Sequence, residues 1–285
     1  MDVFAFGACV VDRFGVVEHD PALDTKQEMT TWLQACGGPP ATAAVALARW
    51  GRSCAFGGVV GDDEEGDLIR ADLAREGLDT SALLVRPGAC SQYAFIAVER
   101  ASGRRKIYWR RPTGAPPMRA EIELPPARLF LTDGLYAGIS AELARAAPMT
   151  VVDAGTLRDG TRELIAEAEI YVASESFARA YVGEDDPEGC CRKLREQGVE
   201  VAGVTLGARG YVASFGDTML HGEAVAVDAV DTTGCGDLFH AGVCEGVLAG
   251  WDWPRTFSFA AWAAAQVATS LGGRAGIPPW HNESQ

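Results

Sequence analysis

The feature that most constrains this chain is the regular alternation of short apolar runs with segments of helical composition. From Leu129 onward the pattern predicts a strand to Thr132, a helix near Ala141 to Ala147, a strand Thr150 to Asp153 and a helix Thr161 to Ala168. A strand Ile170 to Ala173, a helix Glu188 to Gln197 and a strand Val201 to Leu206 continue it. Strands that alternate with helices of about 10 to 15 residues build a mainly parallel sheet with helices on both faces, because each crossover returns the chain to the same end of the sheet. This is an α/β fold, and ligands on such sheets bind at the C-terminal ends of the strands.

The N-terminal third begins the same way. Val3 to Val11 is an apolar run ending at Asp12, which predicts a buried strand that delivers a carboxylate at its C-terminal end. Pro40 to Trp50 predicts a helix closed by Gly51, Ser53 to Val60 a strand, and Glu64 to Glu76 a helix stopped by Gly77. Tyr93 to Val98 and Lys106 to Arg110 break the alternation: they flank Ala101-Ser102-Gly103 and predict a hairpin. Its first strand is apolar on both faces, which predicts that it covers a ligand or pairs with another subunit, so a homodimer through this hairpin is expected. With the irregular or β-like stretch from Arg13 to Cys36, the hairpin predicts a small β-rich lid (13–36 and 92–111) over one large α/β domain (1–12, 37–91 and 112–285).

A chain of 285 residues with 48% hydrophobic and 22% charged residues can build one such large core with a small accessory piece. Its net charge of -14 excludes a nucleic-acid backbone as partner, since phosphate neutralisation needs a basic face. An anionic ligand must then be drawn by local N–H groups, a helix N-terminus or a cation. The eight cysteines include no C-x-x-C pair and read as small buried apolar residues of a reduced, cytoplasmic protein. The start, Met1 to Gly7, carries an acid where a secretion signal would carry positive charge. Phe257 to Leu271 is too short and too polar to span a bilayer and predicts a buried helix, so no membrane partner is expected.

The densest chemical signal is Asp231-Thr232-Thr233-Gly234-Cys235-Gly236-Asp237. Two glycines around a small residue open a helix, so consecutive N–H groups point at an anion unobstructed, and the helix dipole adds favourable potential. Asp237, in the first turn, lies beside that anion, where it could take a proton from an incoming hydroxyl. The alternative is a helix whose acid only balances the dipole. Cys235, at the helix start, either favours the thiolate and reacts faster than the other cysteines or is simply another small residue at that place.

This string resembles the PfkB (ribokinase-like) family signature D-T-x-G-A-G-D, departing only by Cys235 for Ala. Gly7 to Asp12 resembles the family's first strand, whose terminal Asp holds sugar hydroxyls, and Gly37-Gly38 its hinge between lid and large domain. Gly57 to Gly66 is similar to the family's G-x-V-G-x-D-x-x-G segment. Thr205-Leu206-Gly207-Ala208-Arg209-Gly210 is similar to its T-L-G-x-x-G segment near the nucleotide, and Gly272 to Pro278 to its loop beside the adenine. The resemblance implies a ribokinase-like three-layer α/β/α fold and an ATP-dependent sugar kinase, with a tilt towards the ketohexokinase-like branch, and with Mg2+ and K+ as cofactor ions. It implies Asp237 as base over an anion hole of Gly234, Cys235 and Gly236. Asp12, Gly37, Gly38, Thr42 and Asp237 would hold the sugar. Thr205, Gly207, Gly210, Asp231, Thr232, Gly234, Gly236 and Gly273 would hold the nucleotide.

Two departures stand out. Thr42 replaces the family's Asn, and the family's N-x-x-E motif aligns with Ser174-Glu175-Ser176-Phe177, leaving Glu175 as the candidate metal ligand. Arg110 and Arg111 are candidates for phosphate, and Trp32 and Trp109 for stacking on a sugar. Within the fold a nucleoside kinase is the rival reading. Outside enzymes, the rival is a catalytically silent sugar-binding regulator. No G-x-G-x-x-G follows the first strand and no Walker G-x-x-x-x-G-K-[ST] occurs, which disfavours a Rossmann dehydrogenase and a P-loop kinase.

Overall fold

The structure is a computed structural model that describes residues 1–100 and 104–280. The Ala101-Ser102-Gly103 turn expected between the hairpin strands lies outside the described residues. The chain opens with β1 (Val3–Phe6), β2 (Val10–Val17), β3 (Thr31–Gly37), α1 (Pro39–Arg49), β4 (Cys54–Gly61), α2 (Glu64–Arg75) and β5 (Leu83–Arg86). The hairpin β6 (Tyr93–Glu99) and β7 (Arg105–Arg110) follows, then β8 (Leu129–Thr132), α3 (Ile139–Ala146), β9 (Thr150–Ala154), α4 (Asp159–Glu163) and β10 (Ile170–Ser174). Helices α5 (Glu175–Val182) and α6 (Pro187–Glu196), strands β11 (Val201–Thr205), β12 (Tyr211–Phe215) and β13 (Thr218–Gly222), and helices α7 (Cys235–Ala249) and α8 (Trp253–Val267) complete it.

One sheet has nine strands in the order β13-β12-β11-β10-β9-β8-β1-β4-β5, all running the same way except β12, which pairs antiparallel with β11 and β13. The strand order reverses direction at β1, between β8 and β4, and a crevice opens at such a switch point. Alternation along β1 explains why both faces are covered: Val3 and Ala5 enter the core that α1, α7 and α8 share, while Phe4 and Phe6 enter the core of α3, α5 and α6. Helices α7 and α8 cross so closely that a Cβ on Gly242 would lie 2.5 Å from the Cα of Ala260. A second sheet, β3-β2-β6-β7, is the small β-rich piece. No helix among the described residues is long and apolar enough to cross a membrane.

Three expectations are corrected. The run Val3 to Val11 is not one strand: β1 ends at Phe6, and the chain turns at Gly7 (φ 148°), where a Cβ would meet the Asp133 carboxylate at 2.2 Å. Residues Val10 to Asp12 therefore start the small sheet, and apolarity could not reveal the break because Val3–Phe6 and Val10–Val11 are all buried. β6 is not buried on both faces: Ala94, Ile96 and Val98 are covered, whereas Phe95 is 42% exposed. The helix expected over Thr161 to Ala168 is a short α4 followed by a 3-10 turn at Leu164–Glu167.

Candidate active site

The N-terminus of α7 is held by a loop pair. The amides of Val230 and Asp231 donate to the Ala268 carbonyl at 2.8 and 3.2 Å. The fully buried Asp231 carboxylate accepts from Thr233 N and Oγ1 (2.9 and 2.8 Å) and from Gly272 N (3.0 Å). Asp231 is thus a brace between segments 230–234 and 268–273, with its oxygens committed inside the protein. Gly234 sits at φ 84° as the N-cap of α7. The first-turn N–H groups of Gly236 and Asp237 have no intrahelical acceptor, and a Cβ on Gly236 would meet nothing within 4 Å, so the space in front of the helix end is open. Gly273 lies directly against Gly234, which brings the C-terminal loop to the same spot.

Asp237 lies half-buried at this open end. Burial, then the Asp153 carboxylate, pushes it up to about 7; His240 and Arg274 oppose the rise, and Asp12 adds to it. A carboxyl poised near neutrality is what a general base for a hydroxyl needs. Asp12 stands on β2, buried, and desolvation raises it to about 7 against the pull of Arg274. Its Oδ2 lies 2.2 Å from where a Cβ on Gly37 would be, so a larger residue at 37 would have to displace the carboxylate. Gly38 (φ 100°) caps α1 with its backbone against the Ala8 carbonyl.

Thr42 is 1% exposed, and its Oγ1 accepts from Arg274 Nε at 3.2 Å. The arginine also donates to the Gly37 carbonyl (3.4 Å) and pairs with Asp72 on α2. Arg274 therefore covers the hydroxyl that the sequence offered to a sugar. On the opposite flank, Thr205 ends β11 beside Ser174 of β10, and Gly207 (φ 59°) and Gly210 (φ 86°) shape the turn that follows. A Cβ on Gly210 would strike the Gly222 carbonyl at 2.0 Å. From the small sheet, Arg105 on β7 reaches across to Thr232 Oγ1, and Leu33 and Phe14 approach Gly272, so the sheet lies closed over the α7 loop.

Other expectations fare differently. Cys235 is no thiolate: although it starts α7 near Arg105, burial pushes its thiol up to about 12. Glu175 begins α5, but Arg179 (2.7 Å) and Arg209 (3.0 Å) engage its carboxylate. Ser174 caps α5 by accepting from the Phe177 amide (3.0 Å), and Phe177, where the family motif has its Glu, is wholly buried. Among the described residues no group of three or more His, Cys, Asp or Glu could hold a metal. Arg110 lies over the Tyr93 ring and Arg111 over Trp109, both exposed on the small sheet. Trp32 (68%) and Trp109 (48%) are exposed too.

Several site residues escaped sequence reasoning. Asp133 directly follows β8 at the switch point, is 2% exposed and is raised to about 6 by burial, with Arg158 opposing. Asp153 near the end of β9 meets His240 of α7 at 3.2 Å. An apolar strand ending in an acid was the signal that picked Asp12, and the same signal stands at Leu129–Asp133 and Thr150–Asp153.

The chain's similarities agree with this geometry. The pfkB family carbohydrate kinase profile matches residues 1–280. The ribokinase of Haemophilus influenzae is 27% identical over 86% of this chain and 84% of its own length. Fructokinase-1 of rice (Oryza sativa subsp. japonica) is 29% identical over 83% of this chain and 80% of its own. The solved ribokinase of Thermotoga maritima superposes with a TM-score of 0.83 at 22% identity, covering 98% of this chain and 96% of that one, which shows the shared fold. The chain is therefore a member of the pfkB family of carbohydrate kinases, ATP-dependent phosphotransferases with an alcohol group as acceptor.

Proposed function

We propose that Asp237 is the base of this sugar kinase and that the glycine-lined start of α7 is its anion hole. The observation that carries the reading is a single helical turn that presents open N–H groups at Gly236 and Asp237 and, beside them, a carboxylate raised to about 7. The γ-phosphoryl group of ATP would sit at the Gly234-Cys235-Gly236 end, where the helix dipole and amides stabilise the charge of the transfer. The sugar would lie between the small sheet and the large domain. Asp12 and the Gly37-Gly38 hinge would orient its hydroxyl towards Asp237, which accepts the proton as the oxygen attacks. Thr205, Gly207, Gly210, Thr232 and Gly273 would line the nucleotide side, with Asp231 bracing it. The small sheet acts as the lid.

Magnesium accompanies ATP on its phosphates in this reading. The engaged Glu175 and buried Phe177 do not make a ready-made ligand set, so no step is assigned to the ion. Dependence on K+ is tested by exchanging it for Na+ in the assay. The burial of Cys9, Cys54, Cys190, Cys191 and Cys244 as small apolar side chains fits a cytoplasmic setting.

Homodimerisation through the lid follows from its outer face. Met29 and Phe95 cover Gly15, and the neighbouring Trp32 and Tyr108 are 68% and 62% exposed. A second copy would cover this patch, and sedimentation at micromolar concentration checks it: a monomer overturns it.

The deciding experiment for function is ATP consumption by purified protein with magnesium across ketohexoses, aldopentoses, keto-deoxy sugar acids and nucleosides. Turnover with a sugar supports the reading. Turnover with adenosine alone replaces it by a nucleoside kinase, and none with any acceptor points to a silent sugar-binding regulator.

A further inference from the structure

His240 lies on α7 one turn after Gly236 and is 4% exposed. Its Nδ1 is 2.7 Å from the Gly236 carbonyl oxygen and 3.2 Å from Asp153 Oδ2; its Nε2 is 3.1 Å from the Val172 carbonyl oxygen. Two carbonyls and a carboxylate surround the ring. A neutral imidazole has one N–H and one bare lone pair, and in either tautomer that lone pair would point at an oxygen within hydrogen-bonding distance. A buried lone pair facing an acceptor forfeits a hydrogen bond and adds repulsion. Protonating Asp153 does not remove the conflict, because Nδ1 would still face the nearer Gly236 carbonyl.

We propose that His240 carries protons on both ring nitrogens and is a buried positive charge, which offsets Asp153 and sits one helical turn from Asp237. Nδ1–H donates to the Gly236 carbonyl with the Asp153 carboxylate 3.2 Å away as its counter-charge, and Nε2–H donates to the Val172 carbonyl on β10. The ring thereby fastens the first turn of α7 to the central sheet. It is a positioning residue with an electrostatic role. The other charged groups at Asp237 are Asp153 from β9, Asp12 from β2 and Arg274 from the loop after α8. Asp237 is therefore set between an acid and a cation of opposite effect, a pair of dials on one carboxyl.

Two measurements test this, and only the second rests on Asp237 as the base. In 15N-histidine-labelled wild-type protein, long-range 1H–15N correlation at about pH 7.5 should show both ring nitrogens of His240 in the protonated range. One nitrogen in the unprotonated range overturns the proposal. In kcat against pH, His240→Gln should move the acid limb up by about one pH unit, and Asp153→Asn should move it down. Shifts of opposite sign support the electrostatic role. A loss of activity at every pH with the limb unmoved, in both variants, reduces His240 to packing and overturns that role. Absence of any acid limb in the wild type removes the base assignment instead, and leaves the NMR result standing. If the variants do not fold, the wild-type spectrum alone decides the charge.

Discussion

Gly234 and Gly273 touch backbone to backbone: a Cβ on Gly234 would lie 2.6 Å from both the Cα and the carbonyl oxygen of Gly273. Two chain segments, 230–234 and 268–273, meet here, and their contact sets where the N–H groups of α7 stand. Gly234→Ala combines that collision with a left-handed φ of 84°. It should cost about 1 to 3 kcal/mol of stability and raise KM for ATP by roughly 10-fold or more, checked by a thermal melt beside steady-state kinetics.

Asp237→Asn keeps the size of the side chain and removes the proposed base. Turnover should fall by roughly 10² to 10⁴-fold while sugar and ATP affinities change much less. A fully active, folded variant would return Asp237 to the role of a dipole-balancing acid. In the wild type, kcat should rise with pH through about 7, because the base works only when deprotonated and its carboxyl is held there by burial and by Asp153.

Asp12 gives a stability test with a definite sign. Its folded carboxyl holds its proton up to about 7, against an ordinary value of 3.8, so the native state binds the extra proton between those limits. That contribution is present in acid and is lost as pH rises through the folded value. Relative to wild type, Asp12→Asn should therefore gain about 1 to 2 kcal/mol at about pH 8 compared with about pH 4, while sugar binding weakens. Urea melts at the two pH values measure it; an equal effect at both would remove the burial argument.

Arg105 reaches from β7 of the small sheet to Thr232 on the loop before α7. A guanidinium closing over that loop should strengthen phosphate binding, so Arg105→Ala should raise KM for ATP roughly 10-fold with little change in the melting temperature. An unchanged KM would confine the contact to the ligand-free protein.

Cys235 is expected to alkylate no faster than the other cysteines, since its thiol is pushed up to about 12. Cys235→Ala should keep turnover within about 2-fold, because the open N–H groups of the proposed anion hole belong to Gly236 and Asp237 and the Cys235 amide faces the Thr232 carbonyl. Fast, ATP-protected labelling would contradict the burial argument.

What could be read directly from the chain was whatever is written locally. The strand and helix alternation, the hairpin at Tyr93 to Arg110 and the glycine-rich start of α7 each rest on periodicity or on neighbours within a few residues. Asp237 was legible for the same reason, since the residues that open its helix are adjacent to it in sequence. The surroundings of Thr42 and Cys235 and the break in the Val3–Val11 run were not legible, because they depend on distant partners. Arg274 covers Thr42 from 232 residues away, burial silences the Cys235 thiol, and Asp133 dictates the turn at Gly7. Asp133, Asp153 and His240 became visible only when β8, β9 and α7 came together. Sequence determines which groups can donate, accept or open a helix. Burial and long-range apposition, which set charge and access, arise only when the sheet and lid close around them.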